Sequence, residues 1–318
     1  MRALWLEHGA LRFAADLPAP VPSADEALLR VRVAGLCHTD LELRKGYAGF
    51  TGVPGHEFVG EVVSAPGAEG WVGKRVVGEI NVACGRCREC AQGRRPHCAA
   101  RTVVGIRGRN GALAEYLTVP VANLHEVPPA LADDAAVFTE PVAAALEVQE
   151  QVAIGPDRRV VVVGDGKLGQ LIARTLSLTG CELRVVGRDP GKMALLESRG
   201  IAAGPAGTVP ERGADVVVEC TGNPEGLELA RRAVRPRGTI ILKSTYHGGT
   251  TLDLSAIVVD EITLVGSRCG PFGKALDLLA SGRLEVSDLV GAVYPLARAA
   301  EAFEAAARPG MLKVLVRP

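Results

Sequence analysis

Cys84, Cys87, Cys90 and Cys98 stand in the spacing C-x2-C-x2-C-x7-C. Four thiolates on one short loop can close a tetrahedron around Zn²⁺. A ferredoxin-type site would bring the fourth cysteine closer and follow it with proline, so zinc is the better reading. Four thiolates on a divalent ion leave net negative charge, which Arg86, Arg88, Arg94 and Arg95 around the loop offset. That role weakens a reading of these arginines as a nucleic-acid patch. A second set of ligand types is divided between Gly35-Leu36-Cys37-His38-Thr39-Asp40 and Gly55-His56-Glu57-Phe58. Cys37 offers a soft thiolate and His56 an imidazole, both suited to Zn²⁺, and each lies beside a glycine at a strand end where a cleft can open. Taken singly they read as a buried thiol and a satisfied histidine. Their two contexts, combined with the segment described next, favour a metal site.

From Arg159 to Gly169 the chain reads Arg-Val-Val-Val-Val-Gly-Asp-Gly-Lys-Leu-Gly. The valines predict a buried parallel strand, and Leu168, Leu171, Ile172 and Leu176 recur at helical spacing behind the glycines. Thr179-Gly180 supplies a stop, and Glu182 to Val186 a second strand, giving the βαβ order of a dinucleotide site. Gly164 permits the tight turn and Gly166 lets backbone approach a pyrophosphate. Gly169 allows helix and strand to pack closely, and a helix starting at Lys167 and Leu168 offers unpaired N–H groups to the anion. Counting onward, Arg188 falls where an acidic residue would bind the ribose 2′-hydroxyl. A guanidinium matches a 2′-phosphate, Gly187 leaves room and Lys192 adds charge, which favours NADP. A shift of one residue would present the Asp189 carboxylate and favour NAD.

These groups must be carried by two kinds of scaffold. Short Val- and Leu-rich runs from Ala27 to Val33 and from Phe58 to Val63, broken by Gly and Pro, predict an irregular antiparallel β domain. Ala214 to Glu219, Thr239 to Leu242 and Ile262 to Val265 add strands to the dinucleotide unit, for about six in all. Ala203 to Gly213 reads as a Gly/Pro-rich connection, and Cys181, Cys220 and Cys269 as buried thiols. With 318 residues, 47% of them hydrophobic, and no net charge, the chain suits a soluble protein of two domains. It has no long-range field for nucleic acid and no apolar run of membrane-span length. Met1 to Phe13 lacks the apolar core of a signal peptide, so a cytoplasmic protein with reduced cysteines is expected.

Taken together these motifs resemble the zinc-dependent medium-chain dehydrogenases, the family of alcohol, polyol, threonine and glucose dehydrogenases, over essentially the whole chain. The resemblance implies an α/β protein with a doubly wound parallel-sheet Rossmann domain over residues 141–268. An irregular β-rich, GroES-like catalytic domain would take residues 1–140 and 269–318, with a structural zinc lobe at 84–98. Helices would cover Lys274 to Leu279 and Ala297 to Ala307, with a last strand over Lys313 to Val316. A crossover helix would be missing near Ala203 to Gly213.

For the site, the resemblance implies catalytic zinc on Cys37 and His56, with Glu57 as third ligand or close neighbour. Thr39 would pass the substrate's proton outward, Asp40 would hold the zinc-bound imidazole, and His38 would face the cofactor phosphates. Glu42 stands where many alcohol dehydrogenases end the relay in histidine. Glu140, in Phe138-Thr139-Glu140-Pro141, replaces a cysteine of the classical enzymes and either binds zinc or holds its water.

The implied activity is hydride transfer between an alcohol, polyol or sugar and NAD(P), with one catalytic zinc as Lewis acid and one structural zinc. A small alcohol or carbonyl substrate and further copies of the chain, as dimer or tetramer, would be its partners. One rival is a zinc-free enone or quinone reductase of the same superfamily, against which Cys37 and His56 argue. The other is a nucleotide-binding protein without turnover, against which Thr39, Asp40 and Glu57 argue.

Overall fold

The strand Glu26–Leu36 alternates as a half-buried strand must, with Ala27, Leu29, Val31 and Val33 inward and Arg30 and Arg32 in solvent. Its last four residues, Val33 to Leu36, are all buried. Glu57–Ser64 pairs antiparallel along one edge and Lys313–Arg317 along the other, within a seven-stranded sheet. The register puts Gly35 opposite both Glu57 and Leu315. Three segments distant in sequence therefore converge at one strand end, where Cys37 begins.

In the computed structural model, which describes residues 1–209, 211–245 and 250–318, the chain divides into two units. The first is Met1–Glu140 with Phe272–Pro318, and the second is Pro141–Pro271. Leu29, Val31, Phe58, Leu113 and Phe303 belong to the main core of the first unit. A small three-stranded sheet, formed by Asn81–Val82, Thr102–Val104 and Gly108–Arg109, flanks the cysteine loop.

The second unit holds a six-stranded parallel sheet. Its strands, in chain order, are Arg159–Val163, Glu182–Gly187, Ala202–Pro205, Ala214–Glu219, Val234–Leu242 and Thr263–Gly266. In space the order is third, second, first, fourth, fifth, sixth, the doubly wound arrangement whose direction reverses beside the first strand. Helices Lys167–Ser177, Pro190–Glu197, Pro224–Ala233 and Leu254–Val259 connect the strands. Between the third and fourth, the described residues form one 3-10 turn, Ala206–Thr208, and no α-helix.

Three details differ from the sequence reading. The strand Ala202–Pro205 overlaps the start of the stretch read as a connection, because parallel pairing with Arg184 to Gly187 satisfies a segment of poor intrinsic β propensity. A strand at Val290–Pro295 pairs with Lys313–Arg317 and was not foreseen. Cys181, Cys220 and Cys269 are half-buried, not enclosed. Among the described residues no helix is long and apolar enough to cross a membrane.

The loop bearing His56 is held by backbone. Gly111, Ala112 and Leu113 donate N–H bonds to the carbonyls of Val53, Gly55 and Pro54 at 2.7, 2.9 and 3.0 Å. A Cβ on Gly105 or Gly111 would overlap the Gly55 carbonyl oxygen, and Gly55 itself sits at φ +99°. Gly111→Ala is therefore expected to lower folding stability by about 1–3 kcal/mol, since backbone cannot yield as a side chain does. Urea unfolding checks this, and an unchanged midpoint would show that the loop can move aside.

Candidate functional site

Cys37 ends the long strand and caps the helix His38–Arg44 in extended conformation. Asp40, fully buried in the first turn, accepts the Cys37 N–H through Oδ2 at 2.8 Å and the Gly55 N–H through Oδ1 at 3.2 Å. One carboxylate thus ties both ligand-bearing segments together. His56 Nδ1 lies 3.3 Å from Asp40 Oδ1, close enough for strong attraction between charges but not aligned as a hydrogen bond. Burial pulls the imidazole's pKa down, yet the Asp40 charge and contact with Cys37 outweigh it and raise the pKa well above the usual histidine value.

The donor atoms of Cys37, His56 and Glu57 all lie within 4.8 Å of one another. Glu57 Oε2 pairs with Lys313 Nζ, both side chains being almost fully buried, while Glu57 Oε1 is buried without a hydrogen-bond partner. Gly35 leaves space for this carboxylate, because a Cβ there would overlap Glu57 Oε2. Burial alone would lower the Lys313 pKa, but the charges of Glu57, Cys37 and Glu140 raise it. The ammonium also lies 5.3 Å from the centre of the Phe138 ring. An orphaned carboxylate oxygen beside a thiol and an imidazole is a donor set that fits Zn²⁺.

Thr39 Oγ1 stands 3.9 Å from Cys37 Sγ. Glu140, in the first turn of Thr139–Gln151, is not among the three clustered ligands, and its influence reaches Lys313 as charge. The exposed His38 is 3.4 Å from Glu42 through its Nε2. Sequence reasoning missed Lys313. Its only signal was a lysine opening an otherwise apolar strand.

In the cysteine loop, donors from Cys84, Cys87, Cys90 and Cys98 also lie within 4.8 Å of one another, and all eight cysteines are free thiols. Cys87 and Cys90 Sγ atoms are 3.4 Å apart, and Cys98 Sγ accepts the Cys84 N–H at 3.4 Å. The backbone N–H groups of Arg86 and Cys87 pull the Cys84 thiol down to about 6. Desolvation and the Cys87 thiol push Cys90 up to about 11. Arg94 pairs with Glu89 at 2.7 Å and Arg95 donates to Asn123 Oδ1 at 3.0 Å, so two of the four arginines serve the fold of the loop.

In the second unit each glycine of the turn has a distinct geometry. Gly164 has φ +125°, and a Cβ there would press to 3.0 Å from the Cys220 carbonyl oxygen. A Cβ on Gly169 would overlap the Gly164 oxygen, whereas at Gly166 it would meet nothing within 4 Å. Gly166 caps Lys167–Ser177 without a side-chain bond, leaving an open approach to the helix start at Lys167 and Leu168. This is a cradle fitted to pyrophosphate.

Arg188 is exposed, and its guanidinium makes no hydrogen bond or ion pair among the described residues. Asp189 Oδ1 caps Pro190–Glu197 by accepting the N–H groups of Gly191 and Lys192 at 3.0 and 3.2 Å. Lys192 Nζ stands 3.9 Å from Asp189 Oδ2. Sequence reasoning also passed over Asp165, whose Oδ2 accepts the N–H groups of Arg188 and Asp189 at 2.8 Å each. The signal was present as an acidic residue between the first two glycines.

The alcohol dehydrogenase GroES-like domain family matches residues 23–129, and the zinc-binding dehydrogenase family matches residues 168–281. Erythritol/L-threitol dehydrogenase of Mycolicibacterium smegmatis is 31% identical over 319 residues, covering 88% of this chain and 87% of that protein. L-threonine 3-dehydrogenase of Coxiella burnetii is 31% identical over 313 residues, with 90% of each chain covered. A Sinorhizobium meliloti 1021 protein solved bound to NADP superposes with a TM-score of 0.91 at 28% identity. That likeness covers 100% of this chain and 99% of the other.

The Glu57–Lys313 pair generates a stability prediction. Lys313→Met leaves Glu57 buried without its cation and is expected to cost about 3–5 kcal/mol, part of which Glu57→Gln added to it restores. Denaturant unfolding of chelator-treated protein reads both values, and equal stability of Lys313→Met and wild type would contradict the pairing.

Proposed function

The chain belongs to the zinc-binding dehydrogenases of the medium-chain type and is an oxidoreductase, and on that premise we propose that it moves a hydride between a small polyol and NADP, used in preference to NAD. The observation that carries this reading is the convergence of Cys37, His56 and Glu57 around an orphaned carboxylate oxygen. Cys37, His56 and one carboxylate, Glu57 or Glu140, would hold a catalytic Zn²⁺, and Cys84, Cys87, Cys90 and Cys98 a structural one. Bound there, the catalytic ion supplies Lewis acidity toward the substrate oxygen.

The remaining work falls to side chains and backbone. Asp40 fixes the His56 ring, and Lys313 holds Glu57 in place. Thr39 would relay the substrate proton, its hydroxyl accepting that proton while passing its own outward to solvent. The glycine turn with Lys167 and Leu168 binds pyrophosphate, and Arg188 with Lys192 reads the 2′-phosphate. His38 is assigned to the cofactor phosphates. The unit Met1–Glu140 with Phe272–Pro318 is then the catalytic domain, and Pro141–Pro271 the dinucleotide domain. The polyol class is taken from the erythritol/L-threitol relative, and NADP from the exposed guanidinium of Arg188 together with the NADP-bound neighbour. Eight unpaired thiols suit the cytoplasm.

A homo-oligomer, a dimer or a tetramer built from dimers, would form along the sixth strand of the parallel sheet. That edge is unpaired among the described strands, and beside it Leu254, Val258 and Val259 are 66%, 74% and 79% exposed. Replacing Val258 and Val259 together by aspartate is expected to give monomers by light scattering with little change in thermal midpoint. A particle of unchanged mass would rule this edge out.

Metal content tests the central reading. Protein purified without chelator should carry two zinc ions per chain, and Cys37→Ala one, with polyol oxidation lost. Thr39→Val should keep both ions and lose about 10²-fold or more in kcat. A single ion in the wild type, removed by changing the loop cysteines, would move the assignment to a zinc-free enone or quinone reductase or to a nucleotide-binding protein without turnover.

A further inference from the structure

A dinucleotide-binding unit usually carries its acidic ribose ligand at the end of the second strand. Here that place holds Gly187 and Arg188, yet a carboxylate reaches it from another direction. Asp165, between Gly164 and Gly166, extends across the strand ends, and its Oδ2 accepts the N–H groups of Arg188 and Asp189 at 2.8 Å each. It occupies the room that a side chain at Gly187 would need, since a Cβ there would overlap the Asp165 carboxylate. Further bonds fix the arrangement. Gln170, fully buried, donates through Nε2 to the Lys192 carbonyl at 2.8 Å and the Asp165 carbonyl at 3.4 Å. Asp189 is engaged in capping the next helix. Asp165 Oδ1 makes no hydrogen bond among the described residues.

We infer that Asp165 is the ribose-facing acidic group of this cofactor site, and that it holds down the preference for a 2′-phosphate which Arg188 creates. The inference rests on the reading of this unit as an NAD(P) site. Two effects act in the same direction. The N–H groups of Arg188 and Asp189 form the kind of backbone concavity that attracts an anion, and the Asp165 carboxylate already fills it. Its charge also repels a phosphate, while its second oxygen can accept a ribose hydroxyl. Cofactor choice is then a balance between one guanidinium and one carboxylate that share a turn.

Equilibrium binding of NADPH and NADH to the zinc-replete protein without substrate, followed by nicotinamide fluorescence, tests this independently of turnover. Asp165→Asn keeps an oxygen for the two N–H groups but removes the charge. It is expected to shift the ratio of Kd values toward NADPH by about tenfold at low ionic strength, and by less as salt screens the charge. Asp165→Ser provides a second neutral variant should the first not fold, as judged by circular dichroism. An unchanged ratio, or a shift toward NADH, overturns the assignment. So does a shift that salt does not diminish, which would indicate reshaping of the turn. Arg188→Ala should move the ratio the other way. If it leaves the ratio unchanged while Asp165→Asn shifts it, the NADP reading of Arg188 fails and the role of Asp165 stands. If the wild type binds neither nucleotide, the cofactor reading fails and this inference falls with it.

Discussion

Charge buried away from water must be compensated where it stands, and the end of the first unit where Cys37, His56 and Glu57 meet is organised by that requirement. Asp40, Glu57, His56 and Lys313 are all nearly inaccessible to solvent. Lys313 answers Glu57, and Asp40 is answered by two backbone N–H groups and the His56 ring. Glu57 still keeps one buried oxygen, Oε1, without a hydrogen-bond partner, a place that a divalent ion would answer. The seven-stranded sheet serves this balance through register. Moving either neighbour of Glu26–Leu36 by one residue would turn Glu57 or Lys313 to the opposite face and strand its partner.

The second unit meets a different demand, because a turn that could hold an anion must leave backbone donors open without collapsing onto them. Glycine geometry answers it by leaving space at Gly166 while closing it at Gly164 and Gly169. Carboxylates then complete the turn after the second strand, Asp189 as a helix cap and Asp165 as a brace. The result is a rigid frame around an exposed Arg188.

How much of this was legible in the sequence depended on distance along the chain. The cysteine loop and the glycine turn are local, so spacing and residue type sufficed to recognise them. Cys37, His56 and Glu57 were legible as ligand types and through the family resemblance, and the antiparallel register brings them together. The Glu57–Lys313 pair spans 256 positions and leaves no local trace. Asp165 was visible in the glycine motif but was given no role, because its partners are the backbone of a turn 23 and 24 residues away. The strand Ala202–Pro205 was hidden for a related reason: its conformation comes from a neighbouring strand and not from its own residues.

The contact among Gly55, Gly105 and Gly111 is made from main chain alone. Apart from the bonds that the Gly55 and Val53 N–H groups donate to Asp40 and Asn110, the support of the His56 loop does not depend on side-chain identity. Other residues nearby can be exchanged by drift or by design while the His56 loop stays where it is, so the same frame can be inherited by descendants that differ in what they act on.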